Sequence, residues 1–208
     1  MYREDRLQFT NRSFLSQNLS ETGREFGVFV ESKFQLGETI GISPMAALTS
    51  GDGRNSFGED SRDTDIGGIK IGGRIDLYPL GFFKEGNELT SADLEREDRL
   101  KFVVGLAASQ NNGASGSTGE GHGDFFLFDD NGNNSLPDYR QLYADILFKY
   151  SGFSFLAEYA NTSASNIDLV FLDEGATQIL APGQISEFLA LGDSYNFQLG
   201  YVTSNGYS

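Results

Sequence analysis

The 208-residue sequence contains no cysteine and no tryptophan, and it has only one histidine and four prolines. The absence of cysteine excludes a disulfide framework and any thiolate metal site. No window approaches the ~18 consecutive apolar residues of a transmembrane helix, which excludes a helical membrane protein. Transmembrane β-strands escape this test, because their side chains alternate between apolar and polar.

Positive charge is also scarce, since 15 lysines and arginines face 30 aspartates and glutamates, for a formal net charge of −15. A surface that binds a phosphate backbone needs clustered basic side chains, so no nucleic-acid partner is expected. The single histidine, His122, lies in a glycine-rich stretch without a second histidine, and no phosphate-binding loop motif occurs. We therefore expect no enzymatic activity and no cofactor.

Glycine and aromatic residues are abundant instead, with 26 Gly, 18 Phe and 9 Tyr. This combination is typical of many strands joined by turns and predicts an all-β fold. Period-two alternation bounded by turn residues marks eight candidate strands. They cover residues 4–12, 25–36, 39–49, 66–78, 100–109, 139–150, 153–163 and 194–204.

The links between these strands differ in length in a regular way. The links that follow the even-numbered candidate strands are tight at 36–38 and 151–152, and the one at 79–99 is of intermediate length. The links that follow the odd-numbered strands are long loops near 13–24, 50–65, 110–138 and 164–193. Short turns on one side and long loops on the other are typical of an outer-membrane barrel, whereas compact soluble domains tend to avoid such loops. We therefore predict one antiparallel transmembrane β-barrel domain, partial within residues 1–208.

Each candidate strand has one continuous apolar side and one charged or small side. In 139–150 the apolar side carries Leu142, Ala144, Ile146, Phe148 and Tyr150. Tyrosines stand at the ends of such sides, as in the aromatic girdles of membrane barrels. They are Tyr150, Tyr159, Tyr195 and Tyr201. The apolar side is therefore expected to face outer-membrane lipid.

The opposite side is expected to line a water-filled lumen with a mildly basic wall that attracts anions. Its basic residues are Arg6, Arg12, Lys33, Lys70, Arg74, Lys101 and Lys149, and its acidic residues are Glu31, Asp76, Asp145 and Glu158. Alternatively, these charges pair across strands, for example Lys149 with Glu158, and only keep the lumen polar. Two other functions stay open: a soluble or surface β-sandwich or jelly roll that binds a ligand such as a glycan, and a non-conducting structural or adhesion barrel.

Two loop segments raise further alternatives. Asp129, Asn131 and Asn133 alternate as in a Ca²⁺ loop, but the glycine and a closing glutamate are not at the required places. A solvated turn is the favoured interpretation, and no metal site is predicted there or in the acidic stretch 59–65. The apolar segment 167–192 is unusual for an external loop. It forms either an extra strand pair or a segment that folds into the lumen.

Several segments, in order along the chain, resemble the phosphate-selective porin O/P family of Gram-negative outer membranes, in its Bacteroidetes-like version. They are "FTNRSFLSQNLSETGREFGVFV" (9–30), "GGRIDLYPLGFFKEGNEL" (72–89), "SADLEREDRLKFVVGLAAS" (91–109), "YRQLYADILFKYSGFSFLAEYA" (139–160) and "NFQLGYVTSNGYS" (196–208). The sequence departs from the family pattern at Asn11, where glutamate is usual, at Leu77 and Tyr78, and at Arg99 and Leu100.

The resemblance implies a 16-stranded homotrimeric porin through which small solutes such as phosphate pass. Basic side chains line the pore in that family, and Arg12 lies within a matching motif. The substitution at Asn11 weakens the case for phosphate specificity. Because only about eight strands are found and no secretory signal precedes them, the chain is expected to be an internal fragment of the barrel.

Overall fold

The computed structural model describes residues 19, 26–51, 69–121 and 125–204. Within these ranges the fold is all-β with antiparallel pairing throughout, and two short 3₁₀ helices also occur. The strands are β1 (Gly27–Glu31), β2 (Phe34–Leu36), β3 (Ile40–Thr49), β4 (Lys70–Tyr78), β5 (Lys101–Asn112), β6 (Asp138–Tyr150), β7 (Phe153–Ser165), β8 (Val170–Phe171), β9 (Ile179–Leu180) and β10 (Gly192–Tyr201). The 3₁₀ helices cover Asn87–Leu89 and Pro182–Glu187. No helix in these ranges is both long enough and apolar enough to cross a bilayer.

The main sheet has the order β1-β3-β4-β5-β6-β7-β10, with β2 also paired to β3. β1 and β2 lie end to end along β3, opposite its last and first residues. They act as one strand interrupted at Ser32 and Lys33. Seven of the eight predicted strands are thus confirmed, and 4–12 lies outside the described residues. In the part of the chain that the structure describes, the sheet is open between β1–β2 and β10.

The β6–β7 hairpin shows how local sequence sets the register. Ser151 and Gly152 have φ values of 50° and 94°, so both central residues are left-handed, as a two-residue type I′ hairpin requires. Thirteen residue pairs follow, from Tyr150 opposite Phe153 to Asp138 opposite Ser165. This register places Phe148 beside Phe155 and Asp145 beside Glu158, so apolar and polar side chains are kept on opposite faces.

The face that carries Phe148 and Phe155, here called the apolar face, is uncovered. On β10 the side chains of Phe197 and Leu199 are 68% and 72% exposed, and on β4 Ile71 is 63% exposed. Neighbouring rings on this face contact one another, as in the pairs Phe102–Phe148 and Phe153–Tyr201. A water-soluble sheet would bury such a face against a second layer. Here no second layer lies on it within the described ranges.

The opposite face carries Asp145 and Glu158 and is here called the polar face. Loops cover it at both ends. At one end, Phe83 packs against Tyr78, Val103, Leu147 and Leu156. At the other end, Phe125, Leu127, Val170, Leu180, Ile185 and Leu189 form a cluster with Tyr139. The Tyr139 hydroxyl donates to the carbonyl of Ala190 at 2.6 Å. The buried cores therefore lie between the polar face and its loops.

Candidate functional site

The middle of the polar face carries an ionic cluster centred on Arg74 of β4. Its Nη1 and Nη2 donate to the two carboxylate oxygens of Asp145 on β6, at 2.6 and 2.8 Å. Nη2 also lies 2.6 Å from Asp76 Oδ1. Such a two-pronged arrangement fixes the guanidinium and its partners in one plane and in one direction. The Arg74 side chain is 27% exposed, so it lies along the wall and does not project freely into solvent.

Gly105 of β5 makes the ionic cluster possible. Gly105 pairs with Asp76 on one side and Asp145 on the other, so it lies beneath the guanidinium. A Cβ at position 105 would stand 2.0 Å from Arg74 Nη2 and 2.7 Å from Asp145 Oδ2. Any other residue would therefore displace the ion pair. Glycine within a strand often occurs where other groups come close to the backbone, as the Arg74 and Asp145 side chains do here. The sequence pattern did not distinguish Gly105 from the other glycines.

The same row of the sheet continues with Glu158 on β7 and Asn196 on β10. The amide nitrogen of Asn196 donates to Glu158 Oε2 at 2.6 Å. The predicted cross-strand pairing of charges therefore occurs, but with other partners than Lys149 and Glu158. One arginine serves two aspartates, so the described middle of the wall holds more negative than positive charge.

Lys149 lies on the polar face, as its position in β6 predicts, but it is fully buried. Its Nζ donates to the carbonyl oxygens of Asn87 and Thr90, and it stands 5.1 Å from the ring centroid of Phe83. These partners belong to the link between β4 and β5, which turns back over the polar face. Lys149 therefore holds this link in place, and the expectation that it meets passing solutes is corrected.

Asp93 is the second anchor of the β4–β5 link. Its carboxylate accepts from the backbone nitrogen of Gly152 at 2.7 Å, the backbone nitrogen of Glu97 at 3.0 Å and the side-chain amide of Asn87 at 2.8 Å. Asp93 has no exposed surface, and Arg96 donates to the carbonyl of Val202 beyond β10. The link thus ties three strands together. This network was not predicted, because no local sequence pattern distinguishes a buried loop aspartate from a solvent-exposed one.

The other predicted anion-attracting residues fall in different places. Lys70 is partly exposed at the start of β4, and Lys33 is exposed at the interruption between β1 and β2. Lys101 donates from Nζ to the carbonyl of Leu80, which directs it toward the β4–β5 link. Arg12 lies outside the described residues. Of this set, the structure therefore brings only Lys70 and Arg74 to one region of the polar face, at opposite ends of a groove described below.

The candidate calcium ligands form a closed turn. Asp129 Oδ1 accepts from the backbone nitrogens of Asn131 and Asn133, both at 2.8 Å. These donors lower the pKa of Asp129, with the Asn133 backbone as the largest cause. Among the residues that the structure describes, no group of three or more His, Asp or Glu side chains is placed to hold a metal ion. The favoured interpretation of a solvated turn agrees with this geometry.

The apolar segment 167–192 combines the two alternatives stated for it, because it contains a short strand pair and also folds over the polar face, the side predicted to line the lumen. β8 and β9 pair with each other, and the 3₁₀ helix Pro182–Glu187 follows. The segment packs on Tyr139 and Ala164, which lie on the polar face of β6 and β7. Its apolar side chains are therefore used to cover one end of that face.

Comparisons with protein-family models, with curated proteins and with solved structures gave no match. The family resemblance therefore stays an expectation, and the functional argument depends on the geometry of the sheet and its two faces.

Proposed function

We propose that this chain forms part of an outer-membrane β-barrel porin of a Gram-negative bacterium, through which small solutes pass passively. The observation that carries the proposal is the uncovered apolar face. It continues across β3 to β7 and β10, and on β6 it extends from Leu142 to Tyr150. Leu142–Tyr150 is nine residues long, which matches the ~9–11 residues of a tilted transmembrane β-strand.

The ends of the apolar face support the same proposal. Tyr150 and Tyr201 lie at one end, and Tyr159 and Tyr195 lie toward the other. The ring centroids of Tyr159 and Tyr195 are 5.2 Å apart. Beyond the second pair the face becomes polar on β7 and β10, where Asn161 and Asp193 occupy the next row. Amphipathic rings at both boundaries of an apolar band are suited to the two membrane–water interfaces.

The polar face then lines the lumen, and its loops narrow the lumen from both ends. Closure of the barrel by further strands and the homotrimer implied by the resemblance belong to the same proposal. A preference for anions stays a prediction that depends on Arg12, Lys33, Lys70 and Lys101. Arg74 and Lys149 add little to it, because one is neutralised by aspartates and the other is buried.

The soluble β-sandwich is the less well supported alternative. It needs a second sheet against the apolar face, whereas the second sheet of the described residues, β8–β9, packs on the polar-face side. A non-conducting barrel shares the apolar band and differs only in its lack of a pore.

Extraction and conductance separate these functions. The full-length protein should sediment with outer membranes, require detergent for extraction and migrate faster on a gel before boiling than after. In a planar lipid bilayer it should give discrete conductance steps. Recovery in the aqueous fraction would contradict the proposal in favour of a soluble protein, and membrane insertion without conductance would favour a structural barrel.

A further inference from the structure

A groove on the polar face crosses β3, β4 and β5 between Lys70 and the ionic cluster, and its volume is about 560 Å³. Its floor is low because small residues are directly paired in one row of the sheet, namely Ala47, Gly72 and Ser109. In the next row on this face Ala107 is small, whereas Met45 and Arg74 have long side chains. Pockets of roughly 300–1,000 Å³ are typical of small-molecule sites. The groove is therefore large enough to hold a solute of mono- or disaccharide size.

Aromatic side chains stand at the two sides of this floor. Phe29 of β1 pairs with Ala47, and Tyr143 of β6 pairs with Ala107. Phe29 is 64% exposed although it lies on the polar face, where the other strands carry polar or small residues at this level. Rings that flank a floor of small side chains offer flat apolar surfaces to a ligand, such as the C–H faces of a sugar ring.

Hydrogen-bonding groups complete the lining. Ser109 donates to Gln141 Oε1 at 3.1 Å, and Gln141 Nε2 donates to the carbonyl of Leu19, also at 3.1 Å. These contacts fix the amide and the hydroxyl beside the floor. Thr49, Thr118 and the Tyr143 side chain lie on the same lining. Hydroxyl and amide groups of this kind exchange hydrogen bonds with hydroxyls of a solute.

The charges of the groove cancel. Its lining includes Lys70 and Arg74 together with Glu31 and Glu120, and Arg74 is already engaged by Asp76 and Asp145. A simple anion would meet no surplus of positive charge at this place. The combination of flat aromatic walls, hydrogen-bonding groups and balanced charge matches an uncharged, hydroxylated solute.

We propose that this groove, here called the β3–β5 groove, is a subsite for a small uncharged polyhydroxylated solute, of the chemical class of mono- and disaccharides. The inference rests on the proposed pore function. A solute that pauses in the groove obstructs ions for the time it is bound, so binding is measurable as a saturable block of the ionic current.

The test uses the full-length protein in planar bilayers, with glucose and sucrose as probes and Gly72→Leu and Gly73→Leu as matched variants. A Cβ at Gly72 has its nearest contact at 3.4 Å, and so does a Cβ at Gly73, but the two positions point to opposite faces. We expect saturable current block in the native protein and in Gly73→Leu, and loss of block in Gly72→Leu. Tyr143→Ala should weaken binding roughly three- to tenfold, which keeps the test valid if Gly72→Leu fails to fold.

The results that overturn the inference differ from those that overturn the pore itself. Ion conductance without saturable sugar block would leave the pore intact and remove the subsite. A block by inorganic phosphate, but not by sugars, that depends on Gly72 would reassign the groove to anions. No conductance in the native protein would overturn the proposed function and, with it, this inference.

Discussion

Arg74 and Asp145 form a two-pronged ion pair, with N–O distances of 2.6 and 2.8 Å, although their strands are not neighbours. β5 lies between them, and the guanidinium passes over Gly105 to reach the carboxylate. The pair therefore bridges β4 and β6 across β5 on the polar face. The pair also neutralises Arg74. Because a side chain at position 105 would displace the guanidinium, this single glycine affects both the stability of the wall and its charge.

Replacement of Gly105 by alanine should break this ion pair. The added Cβ would overlap Arg74 Nη2, so the arginine must move and Asp145 loses its partner. We expect the free energy of unfolding to fall by about 1–3 kcal/mol, the cost of a charged partner left unsatisfied. Urea unfolding of the protein in lipid vesicles measures this. Gly72→Ala is the control, because its Cβ comes no closer than 3.4 Å to its neighbours, and equal midpoints for the two variants would contradict the account.

Asp93→Ala should loosen the β4–β5 link. The substitution removes the acceptor for the backbone nitrogens of Glu97 and Gly152, which stay buried. We expect a loss of about 3 kcal/mol or more, from ~1–3 kcal/mol for each unsatisfied donor. The matched control is Asp98→Ala, since the Asp98 side chain is 84% exposed and an exposed ion pair such as that with Lys84 contributes little to stability. Similar thermal midpoints for both variants would show that the link is not anchored at Asp93.

Ion selectivity should respond to Lys70 and not to Lys149. Lys70 is partly exposed beside the β3–β5 groove, whereas Lys149 is fully buried under the β4–β5 link. Lys70→Met should shift the reversal potential in a salt gradient toward cations. Lys149→Met should leave the reversal potential unchanged, although it alters stability. A shift with Lys149→Met equal to that of Lys70→Met would restore Lys149 to the lumen wall.

The turn between β8 and β9 should open at acidic pH. The backbone nitrogens of Thr177 and Gln178 donate to Asp173 and lower the pKa of its carboxyl group, Thr177 being the larger cause. Because the folded pKa is depressed, this contribution is present above the unfolded pKa and is lost as pH falls through the folded pKa. Hydrogen-exchange protection of residues 173–178 should therefore decrease with acid, and Asp173→Asn should remove that pH dependence. Equal pH dependence in Asp173→Asn would contradict the assignment.

The strands were predictable because their signals are local. Alternation of apolar and polar residues in 139–150 and 153–163, with Ser-Gly between them, specifies both the hairpin and its faces. The placement of Arg74, Asp76 and Asp145 on one face follows from the same alternation.

What alternation cannot specify is what lies above each face. It places Lys149 on the polar face but does not show that Asn87 and Thr90 cover it, since that depends on how residues 79–100 fold back. The roles of Gly105 and Asp93 likewise depend on neighbours 40 or more residues away in sequence, such as Asp145 and Gly152. For the same reason, local alternation did not show that segment 167–192 both forms a strand pair and folds over the polar face.

The most direct test of the central claim compares two adjacent residues of β5. Leu106 lies on the apolar face and is 54% exposed, whereas Ala107 lies on the polar face and lines the β3–β5 groove. The sequence contains no cysteine, so Leu106→Cys and Ala107→Cys each introduce a single thiol into it. In outer membranes, a charged, membrane-impermeant thiol reagent should modify the cysteine at 107 and reduce conductance. The cysteine at 106 should react only with a lipid-soluble reagent. Rapid modification of the cysteine at 106 by the charged reagent would contradict the assignment of the apolar face to lipid, and with it the porin account.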